Sequence, residues 1–283
     1  MADTPPEPKP DSPCATRLFP SPNHGARMGG RSGEPRAPDS IILHYTGMAD
    51  ASSALLWLCN PVAEVSAHYF VFEDGRIFQL VPESRRAWHA GRGSWRGETD
   101  MNSASIGIEI AHPGHDPGRG FGANGHPLPL PEGVKPNPYP PPGPPFPERQ
   151  IEAVIRLVGD IKSRRTIPDS RILAHSDIAP GRKIDPGENF PWEKLAAAGL
   201  GLWPTISSPA GGPTYRRGDE GMPVAALQSL FANFGYGLEI SGVFDERMEA
   251  VVAAFQRHWR PGRVDGVADG ETLQRLRALA GMA

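Results

Sequence analysis

A chain of 283 residues with a formal net charge of −3 carries no basic field that would draw nucleic acid, and no apolar run approaches the roughly 20 residues of a membrane span. Its two cysteines, Cys14 and Cys59, lie in dissimilar contexts, which argues against a disulfide framework and against a cysteine zinc cluster. The 33 prolines and 33 glycines suggest long loops, and the length allows one large domain with a smaller one beside it.

Residues 1–37 are dominated by Pro, Gly, Ser and charge, and are expected to be irregular. They contain neither the basic nor the apolar region of an export signal, and Cys14 follows Asp-Ser-Pro rather than an apolar stretch; both features favour the cytoplasm. Ser40-Ile-Ile-Leu-His44-Tyr-Thr-Gly reads as a buried strand with His44 near its end, and a helix is expected over about 51–59. Val65 to Val81 reads as a β-hairpin about the Asp74-Gly75 turn. Ala87-Trp88-His89-Ala90-Gly91 puts an aromatic ring and an imidazole in a Gly-rich loop suited to the wall of a groove. Ser105-Ile-Gly-Ile-Glu109-Ile reads as a strand with one acid, which must face solvent or a charge.

Residues 111–147 hold thirteen prolines and seven glycines, far more than a normal connection, and form either a functional lip or a disordered insertion. Its His112, His115, Asp116 and His126 are not expected to bind metal, because a loose loop does not preorganise ligands. Ile151, Val154, Ile155, Val158 and Ile161 recur at helical spacing. Arg171-Ile-Leu-Ala then reads as a short buried strand that delivers His175 to a Pro- and Gly-rich, non-helical segment ending in Asp185-Pro-Gly. Turns at Pro180-Gly181 and Pro186-Gly187 would fold Asp185 back, so that the two residues could hold two corners of a tetrahedral zinc. A salt-bridged loop with an incidental histidine explains this spacing equally well. A short helix follows Phe190, residues 204–212 form a linker, and 213–283 reads as three short helices in a separable unit.

Five stretches taken in order are Leu43-His44-Tyr-Thr, Val65-Ser-Ala-His68-Tyr, Arg86-Ala-Trp88-His89-Ala-Gly, Ser105-Ile-Gly-Ile-Glu109 and His175-Ser-Asp-Ile-Ala-Pro-Gly-Arg-Lys183-Ile-Asp185-Pro-Gly. Together they resemble the zinc-dependent N-acetylmuramoyl-L-alanine amidases of the type 2 amidase fold, which peptidoglycan-recognition proteins share. The tail resembles a three-helix peptidoglycan-binding domain through Leu227-Gln228, Gly235-Tyr236, Gly242-Val-Phe-Asp245 and Ala254-Phe255-Gln256, with Met248 where that pattern usually has Thr. The resemblance implies an α/β fold over 38–203, a mixed central sheet flanked by helices, plus the small helical domain.

Carried over residue by residue, the resemblance implies one Zn2+ on His44, His175 and Asp185, with Glu109 and Lys183 catalytic. Trp88 and His89 would line the substrate groove. Some relatives carry a tyrosine just before the histidine matched by His68, and here that residue is Ala67. His68 is therefore expected to be structural or supporting, with substrate contact as the lesser alternative. The implied reaction is hydrolysis of the amide between N-acetylmuramic acid and L-alanine, in wall turnover or muropeptide recycling, by a monomer acting on peptidoglycan or muropeptides. A wall-binding tail would favour the periplasm or cell envelope, but the missing signal tips the expectation to the cytoplasm. Two other readings are a non-catalytic peptidoglycan-recognition protein and an iron oxygenase with two histidines and a carboxylate; the combination of His44, His175, Asp185, Glu109 and Lys183 argues against the first, and no close His-x-Asp or His-x-Glu pair is expected around His44 and His175 for the second.

Overall fold

The computed structural model describes residues 9–29, 35–115, 121–122, 124–134, 137–206 and 211–282. In chain order it places β1 (Arg17–Leu18), β2 (His24–Ala26), β3 (Ser40–Tyr45), α1 (Ala51–Leu58), β4 (Tyr69–Val71), β5 (Ile77–Gln79), β6 (Arg85–Ala87), α2 (Met101–Ala104) and β7 (Ser105–Ile110). These are followed by α3 (Glu148–Arg164), β8 (Ile172–Ala174), α4 (His175–Ile178), α5 (Trp192–Ala197), α6 (Met222–Phe234), α7 (Glu246–Trp259) and α8 (Gly270–Ala280).

Six strands form one mixed sheet in the order β1-β5-β4-β7-β3-β8, with β4, β7, β3 and β8 parallel and β5 antiparallel to β4. Side chains alternate along a strand, so each central strand has two distinct faces. Ile41 and Leu43 of β3 and Ile106, Ile108 and Ile110 of β7 pack on the apolar stripe of α3, including Ile151, Val154, Leu157, Val158 and Ile161. The intervening positions, Ile42 and His44 on β3 and Gly107 and Glu109 on β7, belong to the opposite face. The register pairs Ile42 with Gly107 and His44 with Glu109. One candidate ligand histidine and one candidate catalytic acid are thus side by side near the C-terminal ends of parallel strands, where open α/β sheets place their ligand crevices.

Three expectations from the sequence are altered here. Residues 9–29 are not irregular: β1 extends the sheet edge beside β5, β2 pairs with β6, and Arg27 is buried with its guanidinium on the carbonyls of Glu83, Asn102 and Ser103. Two- and three-residue edge strands carry too few side chains to show a hydrophobic period, so composition alone misjudged them. The segment after His175 begins with a full helical turn, because its prolines and glycines start only at Pro180.

The third change concerns the tail. Its helices α6, α7 and α8 share one apolar cluster with Ile42, Trp95, Leu173, Ile178 and Ala179. The sheet has apolar side chains on both faces, α3 covers one, and the tail covers part of the other. The two units meet closely at Gly235, whose φ of +154° suits glycine and where a Cβ would press to 2.6 Å from the Trp95 ring. The tail is therefore continuous with the core of the first domain. The linker expected at 204–212 falls partly outside the described residues.

Candidate active site

His44 is the penultimate residue of β3, and His175 follows the last residue of β8, which pairs in parallel with β3. Adjacent strands thereby bring together two histidines 131 residues apart, with Nδ1 atoms separated by 2.9 Å. Asp185 returns over α4, its carbonyl accepting from Ser176 N–H, and its Oδ2 lies 3.0 Å from each histidine Nδ1. All three residues are buried, and they form the one group of potential metal donors found among the described residues.

Hydrogen bonding on the far side of each ring sets what faces this centre. The Ser105 hydroxyl donates to the Met101 carbonyl, so its oxygen accepts from His89 Nε2–H at 3.3 Å. His89 Nδ1 must then accept, and it does so from His44 Nε2–H at 3.0 Å. His175 Nε2–H donates to the Ala90 carbonyl at 2.9 Å. Both neutral imidazoles therefore turn an Nδ1 lone pair toward a carboxylate oxygen. Three electron pairs 2.9–3.0 Å apart repel one another unless a cation lies among them, and two imidazoles with a carboxylate form a donor set that zinc accepts. The residues present fit the metal. Burial, then the neighbouring His175, depress the pKa of His44 to about 4, which keeps its lone pair free. Burial alone would raise Asp185, but positive charge at the His175 and His44 positions outweighs it and holds the carboxyl well below its usual value.

A cleft of about 360 Å3 opens over this centre, and Glu109, Lys183 and Trp88 line it. Burial, and then the Asp185 charge, push the pKa of Glu109 well above its ordinary value, with Lys183 opposing. Glu109 Oε2 is buried without a hydrogen-bond partner. His89, expected on the groove wall, does line the cleft, but its two ring nitrogens are committed to His44 and Ser105. Gly107 makes room for that ring, since any side chain there would collide with it. His68 does not line the cleft. It is fully buried, accepts from Gly107 N–H and faces Arg27 and the Arg85 carbonyl, as the structural alternative expected.

Within the Pro-rich insertion, His112 bonds to the Pro144 carbonyl and His115 to Tyr45 and Glu188, so neither joins the metal centre. Asp116 lies outside the described residues. The insertion behaves as a lip, because His126 reaches the cleft and packs edge-on to Trp57 at 4.6 Å. Trp57, His126 and Ser105 went unsingled in the sequence as cleft or support residues. Trp57 had a signal, an aromatic ring on the polar side of a predicted helix; the others had none. Contrary to expectation, His175-Ser176-Asp177 does form a close His-x-Asp pair, but the Asp177 carboxylate turns away from His175 toward Ala174 N–H, Tyr236 and His258.

Two imidazoles and a carboxylate around one point, with a raised carboxyl and an ammonium in the same cleft, form a donor set and a polar cleft of the kind a hydrolase uses. The family model described as N-acetylmuramoyl-L-alanine amidase matches residues 34–188, and one described as putative peptidoglycan binding domain matches 220–276. The chain is 36% identical over 246 residues to the N-acetylmuramoyl-L-alanine amidase AmiD of Escherichia coli, covering 84% of this chain and 81% of that protein. The solved complex of that AmiD with anhydro-N-acetylmuramic acid-L-Ala-D-gamma-Glu-L-Lys superposes with a TM-score of 0.71 at 34% identity, covering 90% and 93% of the two chains. AmpDh3 of Pseudomonas aeruginosa, solved also with anhydromuramic pentapeptide, gives 0.70 at 30% identity over 90% and 96%. The chain belongs to the N-acetylmuramoyl-L-alanine amidase family and is an enzyme of that class.

Proposed function

We propose that this amidase is zinc-dependent and that it cuts the bond between the lactyl carbonyl of N-acetylmuramic acid and the L-alanine nitrogen, with anhydromuramoyl peptides among its substrates. The observation that carries this reading is the convergence of His44, His175 and Asp185 beneath a cleft that also holds Glu109 and Lys183. The two solved relatives with anhydromuramoyl peptides support the substrate class. When bound, zinc supplies Lewis acidity, bringing the pKa of water toward about 7 and polarising a carbonyl.

The chain's own residues supply the rest. The Ser105–His89–His44 sequence of hydrogen bonds fixes which nitrogen of His44 faces the metal. Glu109, whose side chain lines the cleft, accepts the proton of the attacking water and returns it to the departing alanine nitrogen. A raised pKa suits this two-way transfer, since a carboxylate of ordinary pKa would be a poor acid for the second half. Lys183 places its ammonium beside the oxygen that gains charge as the amide carbon becomes tetrahedral. Trp88 and Trp57 offer apolar faces to the substrate. The tail would hold the enzyme on wall material, raising local substrate concentration without adding chemistry.

Digestion of a purified anhydromuramoyl tripeptide, followed by mass spectrometry, tests this reading. Free tripeptide should appear, disappear with a chelator and return with added zinc. Glu109→Gln should lower kcat by roughly 10²–10⁴. Cleavage indifferent to the chelator would remove zinc from the mechanism, and an intact substrate would remove the amidase assignment.

A further inference from the structure

The segment 175–188 contains two of the three metal donors and Lys183, yet much of what grips it comes from the tail. Asp177 is fully buried on α4, two residues after His175. Its Oδ1 accepts from the Tyr236 hydroxyl at 3.0 Å and its Oδ2 from His258 Nδ1–H at 2.6 Å; the first domain adds only Ala174 N–H at 2.8 Å. The His258 ring is stacked between Trp192 at 3.6 Å and Trp259 at 3.7 Å, so it has little freedom to leave. Further along, Arg247 Nη1 donates to the Pro180 carbonyl at 3.0 Å, and the Ala250 methyl approaches so near Gly181 that a Cβ there would sit 3.2 Å away. At the far end Arg257 Nε lies 4.0 Å from Glu188. The contacts fall at 177, 180, 181 and 188, and so bracket Lys183 and Asp185.

Without the tail, the Asp177 carboxylate would keep one donor beside Leu173 and Ile178, a costly position for a buried charge. α4 would have to turn to return that carboxylate to water, and His175 begins the same helical turn.

We infer that the C-terminal helical unit is a positioning element of the active site: Tyr236, His258 and Arg247 hold the 175–188 segment in its metal-ligating conformation. This role is separate from attachment to the wall. It rests on the assignment of His175 and Asp185 as metal ligands. Coupling of this kind is reciprocal, so metal binding should tighten the docking of the tail by the same factor that docking tightens the metal.

The test uses the full chain with two mild substitutions: Tyr236→Phe, which keeps the ring in the core, and Arg247→Ala, which lies near the surface. Zinc affinity is measured by competition with a chromogenic chelator, and amide exchange of 175–188 is followed in zinc-free protein. Loss of a group that orients metal ligands typically weakens the metal by 10–100-fold. The Tyr236→Phe/Arg247→Ala protein should fall in that range and exchange faster over 175–188, with β7 unchanged. Activity lost at limiting zinc should return when zinc is raised, which a general loss of folding would not allow. A double variant that binds zinc as tightly as the parent, with 175–188 equally protected, overturns the inference while leaving the zinc assignment intact. A parent chain that takes up no zinc overturns the assignment itself, and the inference with it.

Discussion

Two buried carboxyls of this enzyme, Glu83 and Glu109, have opposite fates. Glu83 receives the Tyr69 hydroxyl at 2.6 Å, Arg164 at 2.8 and 3.0 Å and Arg165 at 2.7 Å, so every lone pair has a donor. Burial would raise its pKa, but these partners overcome burial and bring it down to about 2. Glu109 has an oxygen with no partner, and burial, followed by the neighbouring Asp185 charge, pushes its pKa up. The difference teaches what each centre is for. A carboxyl that holds the fold together is saturated with donors, whereas the proton-transfer role proposed for Glu109 needs a free lone pair, and stability is given up to keep it free.

The largest effects should separate the two kinds of residue within the catalytic centre. Asp185→Ala removes the anionic ligand, so zinc and hydrolysis should both be lost. Lys183→Ala leaves all three donors in place and should keep stoichiometric zinc while kcat falls by roughly 10²–10³, the usual cost of one group that stabilises an oxyanion. Metal content and turnover on the same preparation decide the matter; near-normal turnover in the lysine variant would make its role structural.

At the saturated centre the expected loss is of stability, not catalysis. Glu83→Gln leaves Arg164 and Arg165 facing a neutral amide and should cost about 3–5 kcal/mol at pH 7. The folded-state pKa lies below the ordinary 4.5, so this stability is present above that value and is lost as pH falls toward 2. Urea denaturation of zinc-free protein should show a wide gap between parent and variant at pH 7 and a narrower one at pH 3. An equal gap at both would mean that the charge contributes nothing.

The smallest effect has the opposite sign. Glu109 has a raised pKa when folded, so its contribution is most favourable below its ordinary range and declines as pH rises through the raised value. Glu109→Gln should therefore stabilise the zinc-free protein more at pH 9 than at pH 5, read as a difference in Tm. A Tm difference independent of pH would show that Glu109 is not held neutral by its surroundings.

The sequence by itself determined much of the frame. Continuous apolar runs marked β3 and β7, a 3.6-residue period marked α3, and the Asp74-Gly75 turn marked the hairpin, because these signals are local and arise from the burial each segment requires. Family likeness named His44, Glu109, His175, Lys183 and Asp185, since the residue types the chemistry needs remain readable one by one. The division of labour among the other histidines was not readable. His68 and His89 each lie in an aromatic-rich stretch, and only the hydrogen bonds around them separate one that braces the backbone from one that orients His44.

Tertiary structure alone decided the remainder. The short strands β1 and β2 exist because β5 and β6 offer partners, a non-local cause that leaves no periodicity behind. The tail, which has its own turns and helix pattern, looked like a detachable unit. Yet Asp177, two residues after His175, accepts from Tyr236 and His258, 59 and 81 residues further on. Hydrophobic pattern records which side chains must be buried; it does not record against what. For this enzyme that second question decides whether the C-terminal helical unit is an attachment or part of the support of the proposed metal centre.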